Sequence, residues 1–236
     1  MKKELTSLQE AFRVLQTRPK GKAVHRLRVS SRKLRVVLQV MNQSVSDPRI
    51  QSVRKSLKKL SRIAGREREL EVAEKDAHRY GIRLVGLREK QKSAQRKIVH
   101  AINQNKCRKI SIEINEAAKD LADSKKSQSE YLKSNIKSLE SWLTKSNHTS
   151  RDFHELRIII KRIRYFLDAS GRPLECLKTL QDDLGRAHDL EIFQKMGGKG
   201  ARIESVISGL QQRSKCNLKL AIKSARKILT ELNEPA

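Results

Sequence analysis

Apolar residues recur along this chain at spacings of three and four residues, which is the repeat of an amphipathic α-helix. Val24, Leu27, Leu34 and Leu38 share one side of such a helix. The single-residue alternation and turn dipeptides typical of β-strands are absent. The pattern therefore predicts an all-α protein. A later segment repeats it with Phe153, Leu156, Ile160, Ile163 and Leu167.

Prolines and glycines divide this apolar pattern into separate helices. Pro48 follows Asp47, an order typical of an N-cap residue and the first helical position after it. Pro173 follows Gly171, which predicts the end of one helix and the start of another. The glycine-rich run at 195–200 predicts a loop.

A basic motif occurs twice within these helices. In both copies a histidine is followed by cations at positions +3, +7, +8 and +10. The residues at +3, +7 and +10 return to one side of a helix, so each copy builds a basic face about 15 Å long. Stripe 1 consists of His25, Arg28, Arg32 and Arg35, and stripe 2 consists of His154, Arg157, Lys161 and Arg164. The cations at +8 are Lys33 and Arg162.

Each stripe lies about 100° around its helix from the apolar face. The apolar face is expected to pack into a helical bundle, so the cations are held beside a packed surface. The stretch 25–35 contains no acidic residue, and like charges one turn apart destabilise a helix. A compensating anion is therefore expected. Arginine suits phosphate because its planar fork donates two hydrogen bonds.

The elements that follow each motif are also repeated. Leu-Lys-Lys-Leu at 57–60 is matched by Leu-Lys-Thr-Leu at 177–180. Similar elements in the same order predict an internal duplication. The expected repeats are residues 1–122 and 123–236, each with about four helices, and the expected joint is the polar stretch at 120–130.

Composition adds a strong positive charge to this picture. The 236 residues include 53 Lys and Arg but only 26 Asp and Glu, which gives a net charge of +27. Such a chain repels itself, so we expect a polyanion or an anionic surface as its partner. Aromatic residues make up only 3% of the chain, whereas single-stranded nucleic acid usually requires aromatic platforms as well as charge. Nucleic acid is therefore the second choice of partner.

Cysteine use and hydropathy indicate the compartment. Three separated cysteines without a Cys-x-x-Cys pair are typical of a reducing environment. No apolar run approaches the ~20 residues that a membrane span needs, and the first residues show no signal peptide. We therefore expect a soluble cytoplasmic protein with no membrane partner.

The two motifs and the elements after them resemble the CHAD family of α-helical domains over nearly the whole chain. The resemblance rests on His-x-x-Arg-x-x-x-[Arg/Lys]-[Arg/Lys]-x-Arg in both halves, and on the Leu-Lys helix followed by Gly-x-x-[Arg/His]-[Asp/Glu]. It implies two pseudo-symmetric four-helix bundles that face each other across a basic cavity. It also implies binding of inorganic polyphosphate. No cofactor is expected, and a scaffold that locates polyphosphate granules or partner enzymes is a further alternative that is compatible with this function.

The resemblance also implies which residues contact the ligand. In the first half these are His25, Arg28, Arg32, Lys33 and Arg35, and in the second half they are His154, Arg157, Lys161, Arg162 and Arg164. Lys58 and Lys178 occupy matching positions in the following helices, and they are expected to add to the cavity wall. The repeats differ in the next helix, where Arg62 and Arg68 are matched by Asp182 and His188, so the second half is less basic there.

The motif histidines are expected to be neutral. Each shares a helix face with three cations, which disfavour its protonation. A neutral imidazole can still donate a hydrogen bond to a phosphate oxygen.

Carboxylates raise the alternative of an enzyme, either a metal-dependent phosphatase or a polyphosphate-processing enzyme. Such enzymes need clustered carboxylates or a nucleotide-binding loop, and neither is evident. Glu69 and Asp189 are expected in the first turn of helices that restart at Gly65 and Gly185, where an acid is favoured. A role in capping or salt bridges is therefore preferred to metal binding for all four candidates, and no catalytic residue is expected. The candidates are Glu69, Glu71, Asp189 and Glu191.

Overall fold

The computed structural model is built entirely of α-helices in the residues that it describes, which are 2–17, 21–42, 47–102, 104–119 and 125–234. This confirms the all-α prediction. In chain order the helices are α1 (Lys2–Thr17), α2 (Lys22–Met41), α3 (Pro48–Tyr80), α4 (Leu87–Ala101), α5 (Gln104–Lys119), α6 (Lys125–Leu143), α7 (Ser150–Ala169), α8 (Glu175–Lys195) and α9 (Ala201–Asn233).

The chain divides into two compact units, Met1–Asp123 and Ser124–Ala236. In the first unit α2 packs against α1 and α3, and α4 and α5 pack against α3 and α1. In the second unit α7 packs against α6 and α8, and α9 packs against α8 and α6. Each unit therefore encloses its own apolar core.

The apolar faces of the two motif helices supply much of these cores. Val24, Leu27, Leu34 and Leu38 on α2 are buried, and so is the matching apolar set on α7. Burying a Leu or Ile side chain stabilises a fold by about 1.5–3 kcal/mol. The packing therefore fixes the rotation of α2 and α7 about their axes, and with it the direction of the basic stripes.

The start of α3 and the ends of α7 and α8 agree with the sequence. Asp47 caps α3 by accepting a 2.7 Å hydrogen bond from the backbone N–H of Arg49, and Pro48 is the first helical residue. Gly171, with φ of 73°, lies between α7 and α8. The glycine-rich loop follows Lys195, where α8 ends.

The predicted helix restarts at Gly65 and Gly185 are wrong. α3 and α8 continue through these glycines. A glycine inside a helix costs about 1 kcal/mol, which is less than burial of the apolar residues around it contributes. Glu69 and Asp189 consequently lie in mid-helix, not in a first turn.

Two further expectations need correction. The joint at 120–130 is too long, because α6 already begins at Lys125 and residues 120–124 lie outside the described residues. The described residues of the first unit form five helices instead of about four, because α4 ends at Ala101 and α5 begins at Gln104. The second unit has a single helix, α9, of 33 residues as its last element.

The described helices include none with the length and apolar character that a membrane crossing requires. Cys176 and Cys216 carry free thiols.

Candidate anion-binding site

Stripe 1 lies along α2 beside α3. His25 is exposed, and the guanidinium groups of Arg28, Arg32 and Arg35 are on half-buried side chains. The Nε of Arg32 donates a 3.2 Å hydrogen bond to the hydroxyl of Ser61, which is buried on α3. The arginines of stripe 1 are therefore packed against the bundle instead of extending freely into solvent.

Arg68 on α3 extends stripe 1. Its charge, like those of Arg28 and Arg32, lowers the pKa of His25, and Glu71 opposes this effect. In the sequence, Arg68 stands out only as a difference between the two repeats. The antiparallel packing of α2 and α3 explains the position of Arg68. His25 lies seven residues before Arg32 on α2, and Arg68 lies seven residues after Ser61 on α3. Because the two helices run in opposite directions, these equal offsets lead from the Arg32–Ser61 contact toward the same end of the helix pair.

Lys33 is directed to another neighbour. Its Nζ forms a 3.0 Å ion pair with Glu4 on α1, and the two side chains are only 21% and 13% exposed. The +8 position lies about 80° around the helix from the motif histidine, which explains why Lys33 faces α1. The structure therefore places Lys33 in a tie between α1 and α2. The equivalent Arg162 is exposed on α7.

Stripe 2 lies along α7 beside α8. His154 is exposed, and Arg157, Lys161 and Arg164 are half-buried. The ring of His154 lies 5.1 Å from the ring of His188 on α8, measured between centroids. His188 thus occupies the place in the second unit that Arg68 holds in the first, and the two histidines form a pair beside the cations.

The histidines of both stripes are disposed to be neutral, as expected. Although His25 is exposed, partial desolvation by the surrounding protein is the largest cause that lowers its pKa, and Arg28 adds to it. The pKa of His154, also exposed, is lowered first by partial desolvation and then by Arg157 and Lys161. Burial, reinforced by Arg157 and His154, lowers the pKa of His188 to about 3. The cations that lower the histidine pKa could be identified from the sequence. The larger effect of desolvation on the pKa could not, because it depends on packing.

The carboxylates near the stripes are engaged with protein groups. Glu71 accepts hydrogen bonds in ion pairs with Arg68 at 2.7 Å and Lys75 at 2.9 Å. Glu191 accepts from the hydroxyl of Ser150 at 2.9 Å and from Gln211 at 3.3 Å. Glu69 lies 3.4 Å from Arg66. These contacts support the structural role preferred from the sequence, at least for the three glutamates.

Within the described part of the chain, no group of three or more His, Cys, Asp or Glu side chains is arranged to hold a metal ion.

The remaining candidate cations lie at the margins of the stripes. Arg164 forms a 3.7 Å pair with Asp168 one turn later on α7. Lys178 pairs with Glu175 at 2.8 Å, and this hydrogen bond raises the pKa of Lys178. Lys58 is exposed on α3. Arg164 and Lys178 each therefore already have an acidic neighbour that an incoming anion must displace or accommodate.

The fold and these faces define a class of all-α domain in which two motif helices each present a histidine with packed cations. The CHAD domain profile matches residues 5–196, so the chain belongs to the CHAD domain family, as its motifs indicated. A comparison with curated proteins finds no match.

Two solved structures share the fold. PptA from Streptomyces chartreusis has a TM-score of 0.61 and 16% identity, over 97% of this chain and 95% of that chain. The crystal structure of the CHAD domain from the plant Ricinus communis has a TM-score of 0.64 and 19% identity, over 94% of this chain and 88% of that chain.

Proposed function

We propose that this chain binds inorganic polyphosphate through stripes 1 and 2. The observation that carries the proposal is the half-buried position of the stripe cations, which are held by packed helices next to a histidine. A row of cations held in place on one helix face attracts an extended anion. Polyphosphate binding is also linked to the CHAD domain family.

Each residue type has a distinct role in this proposal. The arginines donate paired hydrogen bonds to phosphoryl oxygens, and the lysines contribute compact charges. The neutral histidines donate a single hydrogen bond each. The proposed contacts are all ten motif residues and the flanking Lys58 and Lys178, to which we add Arg68 and His188. Lys33 contributes only if its pair with Glu4 opens.

We further propose that the two units arose by duplication and that one polyphosphate chain contacts both stripes, in the basic cavity that the family resemblance implies. A double-mutant cycle with Arg28→Gln and Arg157→Gln tests the shared ligand. Residues that grip one ligand show coupled losses of affinity, whereas residues that serve separate ligands show additive losses.

The proposed function has no catalytic step. Glu71 and Glu191, the acids beside the stripe histidines, are held by Arg68 and by Ser150 with Gln211, which supports binding without metal-dependent turnover. The test is incubation with polyphosphate, divalent metal and nucleotide, followed by analysis of chain length. A shortened or lengthened chain would contradict the proposal.

The decisive test of the function is a titration of polyphosphate of defined length into charge-reversed variants. The stripe variant carries Arg28→Glu and Arg157→Glu, and the matched control carries Lys219→Glu and Lys223→Glu, two exposed positions on α9. We expect the stripe variant to lose affinity by about 100-fold, since each charge-assisted contact accounts for about a factor of ten or more. The control should lose only a few-fold. Equal losses in both variants would show that no defined site exists.

Duplex DNA of equal charge provides the competitor in the same titration. We expect polyphosphate to displace DNA at fixed salt, because a row of packed cations fits a thin chain of phosphoryl groups. Displacement of polyphosphate by DNA would favour the nucleic-acid alternative.

A further inference from the structure

The first unit contains a basic groove outside stripe 1. It lies between α3 and α4 and has a volume of about 610 Å³. Arg68, which faces stripe 1, is separated from Arg62 and Arg66 by about 120–160° around α3. The groove is therefore a different surface of the same helix. Its described lining residues are Arg62, Ile63, Arg66, Glu89, Lys90, Ser93, Ala94 and Lys97.

Half of these lining residues are cations, and the lining contains one acid, Glu89. Arg66 also lies 3.4 Å from Glu69 on its own helix. Arg62 and Arg66 are one turn apart on α3. Lys90 and Lys97 are two turns apart on α4 and span about 10 Å along the groove. Positive charge on both walls favours an elongated anion, and Ser93 adds a hydroxyl donor between the two lysines.

The residues at the matching positions of the second unit are less basic. When Gly65 is aligned with Gly185, Ile63 is equivalent to Asp183. Carried into the last helices, the same register matches the buried pair Ala94 and Ile98 on α4 with the buried pair Ser214 and Leu218 on α9. The two pairs of helices can therefore be compared position by position.

In this comparison a salt bridge crosses the second unit where the first unit has its groove. Arg213 corresponds to Ser93, and its guanidinium donates two hydrogen bonds to the carboxylate of Asp183, one of them at 2.7 Å from Nε. Three of the four groove cations are also replaced, whereas Arg66 is matched by Arg186. Arg62, Lys90 and Lys97 are matched by Asp182, Leu210 and Asn217. This combination of cations is therefore found in the first unit and not at the matching described positions of the second.

We infer that the groove between α3 and α4 is a second anion site, which holds a short linear run of phosphoryl groups. The inference rests on the proposed function for the class of ligand, but not on any residue of the stripes. Among the described lining residues no aromatic side chain offers a stacking platform for a base. The arginine forks and lysine charges match phosphoryl oxygens.

The test is a calorimetric titration of the full chain with tripolyphosphate. The groove variant carries Arg62→Gln, Lys90→Gln and Lys97→Gln, and glutamine preserves helix propensity. The control carries Lys219→Gln, Lys223→Gln and Lys227→Gln, which removes the same charge from exposed positions on α9. We expect the groove variant to lose one binding event, with its affinity weakened at least about tenfold. The control should stay within about twofold.

A stripe variant, Arg28→Gln with Arg157→Gln, separates this inference from the proposed function. If the stripe variant keeps the groove event but loses affinity for long polyphosphate, both proposals hold. If the stripe variant binds long polyphosphate like the wild type and only the groove variant is impaired, the proposed function fails and the groove stands. If the groove variant titrates like its control, the groove is not a site, whatever the stripe variant does.

Two checks keep these outcomes interpretable. Circular dichroism and thermal melting establish that the groove variant is folded, and Lys90→Gln with Lys97→Gln alone replaces it if the Arg62 change disturbs α3. Poly-glutamate is the competing ligand. Displacement of tripolyphosphate from the groove by poly-glutamate at equal charge would overturn the phosphate assignment and indicate an acidic polypeptide.

Discussion

At the scale of single residues, the pair of His154 and His188 is the most responsive part of the proposed site. The pKa of each imidazole is lowered by burial and by the cations around it. A bound polyanion supplies the opposite charge, which raises the pKa of a neighbouring histidine. Protonation and anion binding should therefore favour each other.

The first prediction is that affinity for polyphosphate increases as the pH falls from 8 to 5.5. The histidine pKa is low in the free protein and higher in the complex, so the complex binds more protons between the two values. Titrations at several pH values, in buffers of different ionisation enthalpy, measure the affinity and the proton uptake. Replacing His154 and His188 by Gln should flatten the dependence.

The matched control for this prediction is His78→Gln, which changes an exposed histidine near the end of α3. The control should keep the wild-type dependence on pH. A wild-type affinity that is constant with pH would contradict the prediction.

Residue-level prediction succeeded where the helical repeat alone decides the outcome. The stripes could be read from one helix, because positions +3, +7 and +10 share a face. The role of Arg68 and the partner of Lys33 could not be predicted in this way. Each depends on which helix packs against α2 and on how far the two helices are shifted along their axes. The Arg32 contact to Ser61 supplies that alignment for Arg68.

At the scale of elements, the two motif helices start differently. α7 begins with a capping box, in which Thr149 and Asp152 each accept a hydrogen bond from the other's backbone N–H. Trp142 donates to the carbonyl of Asp152 at 2.9 Å and stacks on His148 at 3.6 Å. The N-cap residue of α2 is Gly21, which provides no side-chain cap. The start of α7 is therefore the better anchored of the two.

The second prediction concerns this cap. Thr149→Ala should lower the free energy of unfolding by about 1 kcal/mol, because an N–H at the start of α7 loses its acceptor. Urea unfolding followed by circular dichroism measures the change. Thr144→Ala, an exposed position near the end of α6, should change stability by less than about 0.5 kcal/mol. Equal effects would show that the capping box contributes little.

The third prediction concerns the glycines inside α3 and α8. A Cβ at Gly65 or Gly185 meets no atom within 4 Å beyond its own neighbours. Gly65→Ala and Gly185→Ala should therefore each raise the free energy of unfolding by about 0.4–1 kcal/mol, mainly by restricting the unfolded chain. A Cβ at Gly198 collides with the ring of Phe193, so Gly198→Ala should destabilise the protein.

Thermal or urea unfolding of the three variants checks this prediction. Destabilisation by Gly65→Ala would indicate that something near α3 requires the space beside Gly65.

The glycine result also explains why element boundaries were predicted unevenly. Gly65 resembles a stop signal, yet packing on both sides of it keeps α3 continuous. The end of α4 is the opposite case. Ile102 is apolar and buried, and no proline or glycine lies near it. The apolar helical repeat therefore gives no sign that the helix ends there.

At the scale of the whole molecule, the net charge of +27 dominates every encounter with an anion. Most of this charge is spread over the helices, so it attracts polyanions without selecting among them. In the proposed function, selection depends on the fixed cations of the stripes. The class of fold and the family could be recognised from the sequence because both copies of the motif kept their spacing.

The fourth prediction concerns salt. The six cations of stripes 1 and 2 should release counterions when polyphosphate binds. By analogy with single-stranded nucleic acid, the logarithm of the association constant should fall with the logarithm of salt concentration with a slope of about −4. Titrations between 50 and 500 mM salt measure it, and about one to two units of slope should vanish in the variant with Arg28→Gln and Arg157→Gln. An unchanged slope would place the phosphate contacts elsewhere.

The interruption between α4 and α5 affects which helices can open locally and independently. In α9 one ladder of backbone hydrogen bonds spans 33 residues, so an opening at its end can propagate without meeting a boundary. In the first unit the ladder stops at Ala101 and begins again at Gln104. Amide exchange with deuterated solvent should therefore report α5 as a unit that opens independently of α4. α4, which forms one wall of the basic groove, can then keep its amide protection while the amides of α5 exchange.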